Sequence, residues 1–147
     1  MQRSLEQILN IILHSGEMLE EEMKSESDLK SLTARQLYCL ELIREMENPS
    51  LSELAERMNI SKASMSVMIE RLERNILIYK VASDKDRRIA HVHLTEAGER
   101  AASLHKDLHG RIAELLTGEM TESEKEILIV LLNKSVKSLK KHQKTPH

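Results

Sequence analysis

Apolar side chains recur at three- and four-residue spacing along much of this 147-residue chain, which is the pattern of one buried helix face. The first such stretch covers residues 4–23 and predicts a long amphipathic helix that ends in a run of glutamates. Three later helices are expected to begin at capping boxes, in which Ser or Thr is followed three residues later by Glu or Gln. The three boxes are Thr33 with Gln36, Ser50 with Glu53, and Thr121 with Glu124.

The centre of the chain predicts two short helices joined by a tight turn. The first is expected over about residues 51–58, and Asn59 then supplies the left-handed conformation that the turn needs. Ser61 caps the second helix, and Asn75 is the residue expected to be left-handed at its end. This spacing is typical of a helix-turn-helix.

Two β-branched runs follow, residues 76–81 and 89–94, and they enclose the polar segment SDKDRR. They predict a hairpin, or wing, beside the helix-turn-helix. Thr95 is expected to cap another long helix that runs to about Thr117 with Gly98 in its first turn. The fold class is therefore mainly α with a small β-wing.

By length the chain is one domain, and its terminal helices, which lie outside the winged segment, carry more aliphatic surface than one small monomer can hide. Residues 25–31 are expected to form a polar loop, and the chain is expected to fray from Lys140 onward. The predicted divisions are residues 1–30 and 96–142 for the helical lobe, 31–95 for the winged helix-turn-helix domain, and 143–147 for a flexible tail.

Charge and composition narrow the class of protein. The net charge is −2, yet residues 50–95 sum to +2 and the remainder to −4, so a basic segment lies on an acidic body and can dock on phosphates. One cysteine permits no internal disulfide, which agrees with a reducing cytoplasm. No apolar run is long enough to span a membrane, and the N-terminal stretch is too charged for a signal peptide.

The run SELAERMNISKASMSVMIERLE, followed by DRR, an alternating strand and LTEAGE, resembles the MarR family of bacterial transcriptional regulators. The segment DRRIAHVHLTEAGERAASLHKDLHGRI is similar to family members that repress fatty-acid-synthesis genes in Gram-positive bacteria. The resemblance implies a homodimer interlocked through the terminal helices. Its two recognition helices would then enter successive major grooves of double-stranded DNA at a pseudo-palindromic operator.

The basic face of the second short helix and the wing are the expected DNA contacts. Residues at the start of such a helix point at base edges, later basic residues meet phosphates, and wing arginines reach the minor groove. The resemblance implies that Asp86 orients the wing arginines. The predicted set is Ser61, Lys62, Ser64, Val67, Arg71 and Arg74 on the helix, and Lys85, Arg87 and Arg88 on the wing. A protein-interaction module that uses the same surface is the alternative.

His105 and His109 lie four residues apart on one predicted helix, a spacing that can hold a transition metal. Zinc-sensing MarR proteins use such a pair with a histidine from the second helix, where this chain has Tyr38. We therefore expect no metal site, and a zinc-responsive sensor stays as an alternative. Cys39 is expected to be a small hydrophobe and not a peroxide-sensing thiol.

The resemblance also implies an effector cavity between the lobes, for which Arg35, Tyr38 and Cys39 are the candidate lining residues. Without Phe or Trp, Leu, Ile and Met would form its wall, which favours a long aliphatic guest. A small hydrophobic ligand, or an acyl chain presented by acyl carrier protein, is the expected effector. No catalytic triad, phosphate-binding loop or carboxylate pair is visible, so the sequence predicts neither an enzyme nor a cofactor.

Overall fold

A computed structural model of the chain describes residues 2–25 and 29–143. It consists of two compact units, Met1–Gly110 and Arg111–His147. Its elements are α1 (Leu5–Ser25), α2 (Ala34–Glu45), α3 (Leu51–Met58), α4 (Lys62–Arg74), β1 (Ile78–Ala82), β2 (Ala90–Leu94), α5 (Glu96–Thr117) and α6 (Glu122–Gln143). The predicted fold class, mainly helical with a small antiparallel wing, is confirmed.

All three predicted capping boxes form. At the start of α2, the Thr33 hydroxyl accepts from the Gln36 amide at 3.2 Å, while the Thr33 N–H donates to the Gln36 side chain at 2.9 Å. The box at α3 has the same reciprocal bonds, and the backbone N–H of Ser50 lowers the pKa of the Glu53 carboxyl. Each box satisfies N–H groups that have no partner inside the helix, so the helix start is set locally.

The left-handed residue at the end of α4 differs from the one that the sequence predicts. Asn75 has φ −82°, whereas Ile76 is left-handed at φ 57°. The Ile76 N–H donates to the Glu73 carbonyl and the Leu77 N–H donates to the Leu72 carbonyl, both at 3.0 Å, which is a Schellman motif one residue later than expected. Because the turn comes one residue later, Ile76 is 73% exposed, whereas Leu77 lies in the core and is 4% exposed.

The wing is a two-stranded antiparallel sheet in which Ile78 lies opposite Leu94 and Ala82 lies opposite Ala90. β1 begins two residues later than the sequence predicts because the Schellman turn takes up Ile76 and Leu77. β2 is also fastened to the segment before α3, since the Val92 N–H donates to the carbonyl of Pro49 at 2.9 Å.

The core of the first unit joins α2, α3, α4, the hairpin and α5. It is aliphatic, as the absence of Phe and Trp requires. Its largest fully buried side chains are Leu37, Leu40, Leu42, Ile43, Leu54, Met65, Ile69, Leu72, Val92 and Cys39. This core holds α3, α4 and the wing in fixed relation, which positions the site described below.

The two terminal helices leave many aliphatic side chains exposed, and none of the residues of α6 is buried. The C-terminal prediction needs correction, because residues 140–143 are helical, and residues 144–147 lie outside the described residues. Three residues of the predicted polar loop, 26–28, also lie outside them. None of the described helices is both long and apolar enough to cross a membrane. The division at residues 30/31 and 95/96 stays a prediction.

Candidate nucleic-acid interface

The helix α4 has one buried face and one polar face. Met65, Ile69 and Leu72 are fully buried and fix the helix on the core. The predicted contact residues on the other face are all exposed: Ser61, Lys62, Ser64, Val67, Arg71 and Arg74. The core therefore presents these side chains to solvent as a group.

The start of α4 orients Ser64. The Ser61 hydroxyl accepts from the Ser64 amide at 3.1 Å and donates to the Ser64 hydroxyl oxygen at 2.9 Å. Ser61 is thereby engaged in capping. The Ser64 hydroxyl keeps its own proton free to donate outward, which fits a contact to a base acceptor.

The wing tip carries three exposed cations, Lys85, Arg87 and Arg88. The Asp86 carboxylate accepts from the backbone N–H of Arg88 at 3.0 Å, so it orders the main chain of the arginine pair. At the base of the wing, Tyr79 and His93 stack with ring centroids 5.1 Å apart. These contacts shape the hairpin and leave its basic tip free.

A groove separates the N-terminus of α2 from the outer face of α4, and we call it the α2–α4 groove. It consists of two depressions of about 310 and 220 Å³ that share Thr33, Gln36 and Arg71. Arg74 lines one depression, and Arg35 lines the other beside Ser64 and Val67. Among the described residues, no Asp or Glu lines either depression.

The structure does not bring the three candidate effector residues together. Arg35 lines the α2–α4 groove, and Tyr38 lies beside His105 with ring centroids 6.2 Å apart. Cys39 is fully buried in the core, so it cannot line an open cavity as the sequence suggested. Burial raises the pKa of the Cys39 thiol to about 12.

We expect the Cys39 thiol of the folded protein to resist modification at pH 8, because it is buried and protonated. A chromogenic disulfide reagent should label one thiol per chain in urea and react with the native protein only as fast as it unfolds. Because folding raises this pKa, the stabilisation is fully present below the ordinary thiol pKa and is lost as pH rises toward about 12. Rapid native labelling, or peroxide-dependent loss of DNA binding, would contradict this prediction.

A polar cluster of Glu41, His105 and His109 lies between α2 and α5, and only His105 in it is buried. The His105 imidazole is 5% exposed, and its Nδ1 donates to the Glu41 carboxylate at 2.5 Å. The His109 ring packs edge-on at 4.3 Å between centroids, and the ligand atoms of the three residues lie within 4.8 Å of one another. Glu41 is the member of the cluster that the histidine spacing does not predict. Its position three residues after Tyr38, on the same helix face, was the available signal.

His91 has a structural role. Its Nδ1 donates to the Asn48 carbonyl at 3.0 Å, and the residue forms a β-bridge with Ser50. This contact ties β2 to the start of the helix-turn-helix.

Comparisons with known proteins agree with this geometry. Residues 32–90 match the sequence model of the MarR family. The HTH-type transcriptional repressor MdtR of Bacillus subtilis is 30% identical over 105 residues, covering 69% of this chain and 68% of MdtR. The organic hydroperoxide resistance transcriptional regulator of the same organism is 26% identical over 128 residues, covering 86% and 87%.

Two solved complexes share the fold. FabT of Streptococcus pneumoniae, crystallised with DNA, aligns with a TM-score of 0.84 at 23% identity, over 93% of this chain and 96% of FabT. The MepR–DNA complex of S. aureus aligns with a TM-score of 0.73 at 18% identity, over 93% and 99% of the two chains. Helix order, wing and terminal helices therefore recur in proteins that have been crystallised on DNA.

Proposed function

Because this chain belongs to the MarR family of transcriptional regulators, we propose that it is a repressor that binds a pseudo-palindromic operator as a homodimer. The observation that carries the proposal is the exposed basic face of α4 beside a basic wing tip, both held on one buried core. The proposal assigns the protein no catalytic reaction and places it in the cytoplasm, where a bacterial repressor meets DNA.

The proposed division of labour follows from position on α4. Ser64 and Val67 lie near its start, where side chains meet base edges, and Val67 offers a methyl contact to thymine. Arg71 and Arg74 lie farther along and meet phosphates, which add affinity but no sequence information. Arg88 enters the minor groove, where the negative potential is strongest.

Exposed aliphatic surface supports the dimer. Leu5, Leu9 and Leu13 are exposed on α1, and Ile127, Leu132 and Leu139 are exposed on α6. Large aliphatic side chains left exposed in such numbers mark a protein interface. A second copy is the partner that the proposal requires, since a twofold axis places two recognition helices on successive major grooves.

Salt dependence tests DNA binding. Phosphate contacts release counterions, so affinity for promoter fragments should fall steeply as salt rises. Arg88→Ala should weaken binding to all sequences by about 1–3 kcal/mol, and Ser64→Ala should relax base preference instead. Fluorescence anisotropy at several salt concentrations measures both effects.

The matched control is Arg100→Ala. This exposed arginine pairs with Glu96 at 3.0 Å on α5, outside the proposed interface, so its loss should leave affinity unchanged. Flat micromolar binding of the wild-type protein to every duplex would reject the regulator and favour a protein-interaction module.

The proposed effector is an acyl chain or another small hydrophobic ligand. Its support is the resemblance to repressors of fatty-acid synthesis together with the aliphatic composition, since each buried methylene contributes about 0.8 kcal/mol. Ligand and DNA must alter each other's affinity by the same factor. Long-chain acyl carrier protein and, separately, salicylate should be added to the DNA complex. A response to salicylate alone would reject the lipid effector.

The cluster of Glu41, His105 and His109 favours one further candidate function, a zinc-responsive sensor. We expect no zinc response, because Glu41 and His105 are already joined by a hydrogen bond of 2.5 Å. If the Glu41 oxygen and His105 Nδ1 both bound a tetrahedral zinc through bonds of about 2.0–2.1 Å, they would lie roughly 3.3 Å apart, so this hydrogen-bonded pair would have to open. A zinc-dependent change in operator affinity that is lost on chelation and in His109→Ala would contradict this expectation.

A further inference from the structure

The α2–α4 groove places Arg35 beside Ser64 and Val67, the residues proposed to read bases. We propose that this groove binds a backbone phosphate of the operator through Arg35, Gln36 and Arg71. The inference rests on the proposed DNA-binding function and adds the N-terminus of α2 to the interface. Arg35 thereby changes from a candidate effector residue to a DNA-binding residue.

The described residues leave the charge of the groove uncompensated. Arg35, Arg71 and Arg74 line it, and within residues 2–25 and 29–143 no carboxylate lines it and none of the three arginines forms an ion pair. Some basic residues elsewhere on the surface do form such pairs: Lys80 with Glu73, Arg100 with Glu96, Arg111 with Glu114 and Lys125 with Glu122. Like charges that gather on one surface repel one another unless an anion separates them, so the groove favours an anionic ligand.

Gln36 supplies an independent observation. It is 9% exposed and lines both depressions of the groove. Its side-chain oxygen accepts from the Thr33 N–H at 2.9 Å, which leaves its amide NH₂ as a donor with no partner among the described residues. An amide NH₂ that is still open to the groove can donate to a phosphate oxygen.

The N-terminus of α2 also lies at the groove. The capping box occupies the N–H groups of Thr33 and Gln36, while those of Ala34 and Arg35 have no acceptor within the helix. The positive end of the helix macrodipole adds to the charge of the arginines. Arginine forks, an amide and helix N–H groups are together the donor set that phosphate prefers.

The position of the α2–α4 groove favours the DNA backbone as the source of the phosphate. The groove opens on the same surface as Ser64 and Val67, so a duplex docked on α4 brings a phosphodiester to its mouth. Sequence preference would still come from α4, because a phosphate contact is the same for every base.

Arg35→Ala should weaken operator binding ~10-fold, the loss typical of one phosphate contact, and reduce the salt slope by about one. The fold loss of affinity should be the same for the operator and for point-mutated operators. Arg35→Lys, which keeps the charge, should retain more affinity than Arg35→Ala. Arg100→Ala is the paired-arginine control, and Arg88→Ala is the positive control.

Operators with single neutral methylphosphonate linkages locate the contact. One substitution should weaken the wild-type protein more than it weakens Arg35→Ala, because one of the groove's contacts to that phosphate is then already lost. Additive losses at every linkage would overturn the inference. An Arg35→Ala affinity equal to that of Arg100→Ala, while Arg88→Ala binds weakly, would also overturn it and leave the proposed function intact.

Competition with inorganic phosphate distinguishes a DNA phosphodiester from a free phosphate ion as the ligand of the groove. At matched ionic strength, phosphate should compete with the operator no better than chloride does. Calorimetric binding of free phosphate to the DNA-free dimer, with competition lost in Arg35→Ala, would make the groove a site for a small anion and overturn the backbone assignment.

Discussion

Replacing Leu132 and Leu139 by glutamate is expected to convert the protein to a monomer and to remove most of its operator affinity. The two side chains lie seven residues apart on one face of α6 and are 48% and 62% exposed. Carboxylates there would have to be desolvated in a dimer interface, which is strongly unfavourable without a cation partner. A monomer engages one half-site, so the loss of avidity should reach ~10²–10⁴-fold. Light scattering and operator titration measure the two effects.

The control moves both carboxylates by one residue, as Asn133→Glu with Lys140→Glu. This change turns them about 100° around the helix and away from the leucine face. It also makes the chain more negative than the leucine variant, so preserved binding would exclude general charge repulsion from DNA as the cause. A leucine variant that stays dimeric would remove α6 from the interface. A monomeric variant with full operator affinity would remove the requirement for two half-sites.

Gly98→Ala is expected to destabilise the fold strongly. A Cβ at Gly98 would lie 2.0 Å from the carbonyl oxygen of Leu77, a backbone atom that also accepts from the Thr95 N–H. The close approach joins the wing to the first turn of α5, so neither side can move without breaking that bond. We expect a loss of about 3 kcal/mol in the free energy of unfolding, the upper range for an overpacked site. Thermal unfolding at fixed protein concentration should show it.

Gly110→Ala is the matched control in the same helix. A Cβ at Gly110 meets no heavy atom within 4 Å, so the substitution should stabilise the protein by about 0.5–1 kcal/mol through helix propensity. The same chemical change is therefore expected to have opposite signs at two positions of α5. Equal melting temperatures for the two variants would show that the Leu77 contact does not constrain Gly98.

The sequence by itself determined the helix starts and the first tight turn. The capping boxes at Thr33, Ser50 and Thr121 and the left-handed Asn59 all form as predicted. These features depend on hydrogen bonds between residues three apart and on the conformational range of one side chain. Information of this kind lies within one helical turn, so a single sequence is enough to read it.

Tertiary structure decided where the second turn falls. Asparagine is the better left-handed residue, and local preference placed the turn at Asn75. The structure instead gives Ile76 a positive φ. With the turn at Ile76, the next two side chains, Leu77 and Ile78, are buried in the core. Burial of two aliphatic side chains outweighs the local cost of a β-branched residue in that conformation.

Tertiary structure also decided which polar residues meet. Glu41 and His105 are 64 residues apart in the chain, and Arg35 reaches the recognition face only because α2 packs beside α4. Helical periodicity shows that one face of α2 is buried. It does not show which neighbour each remaining face meets. That depends on how the whole aliphatic core packs, and packing is a property of many distant side chains at once.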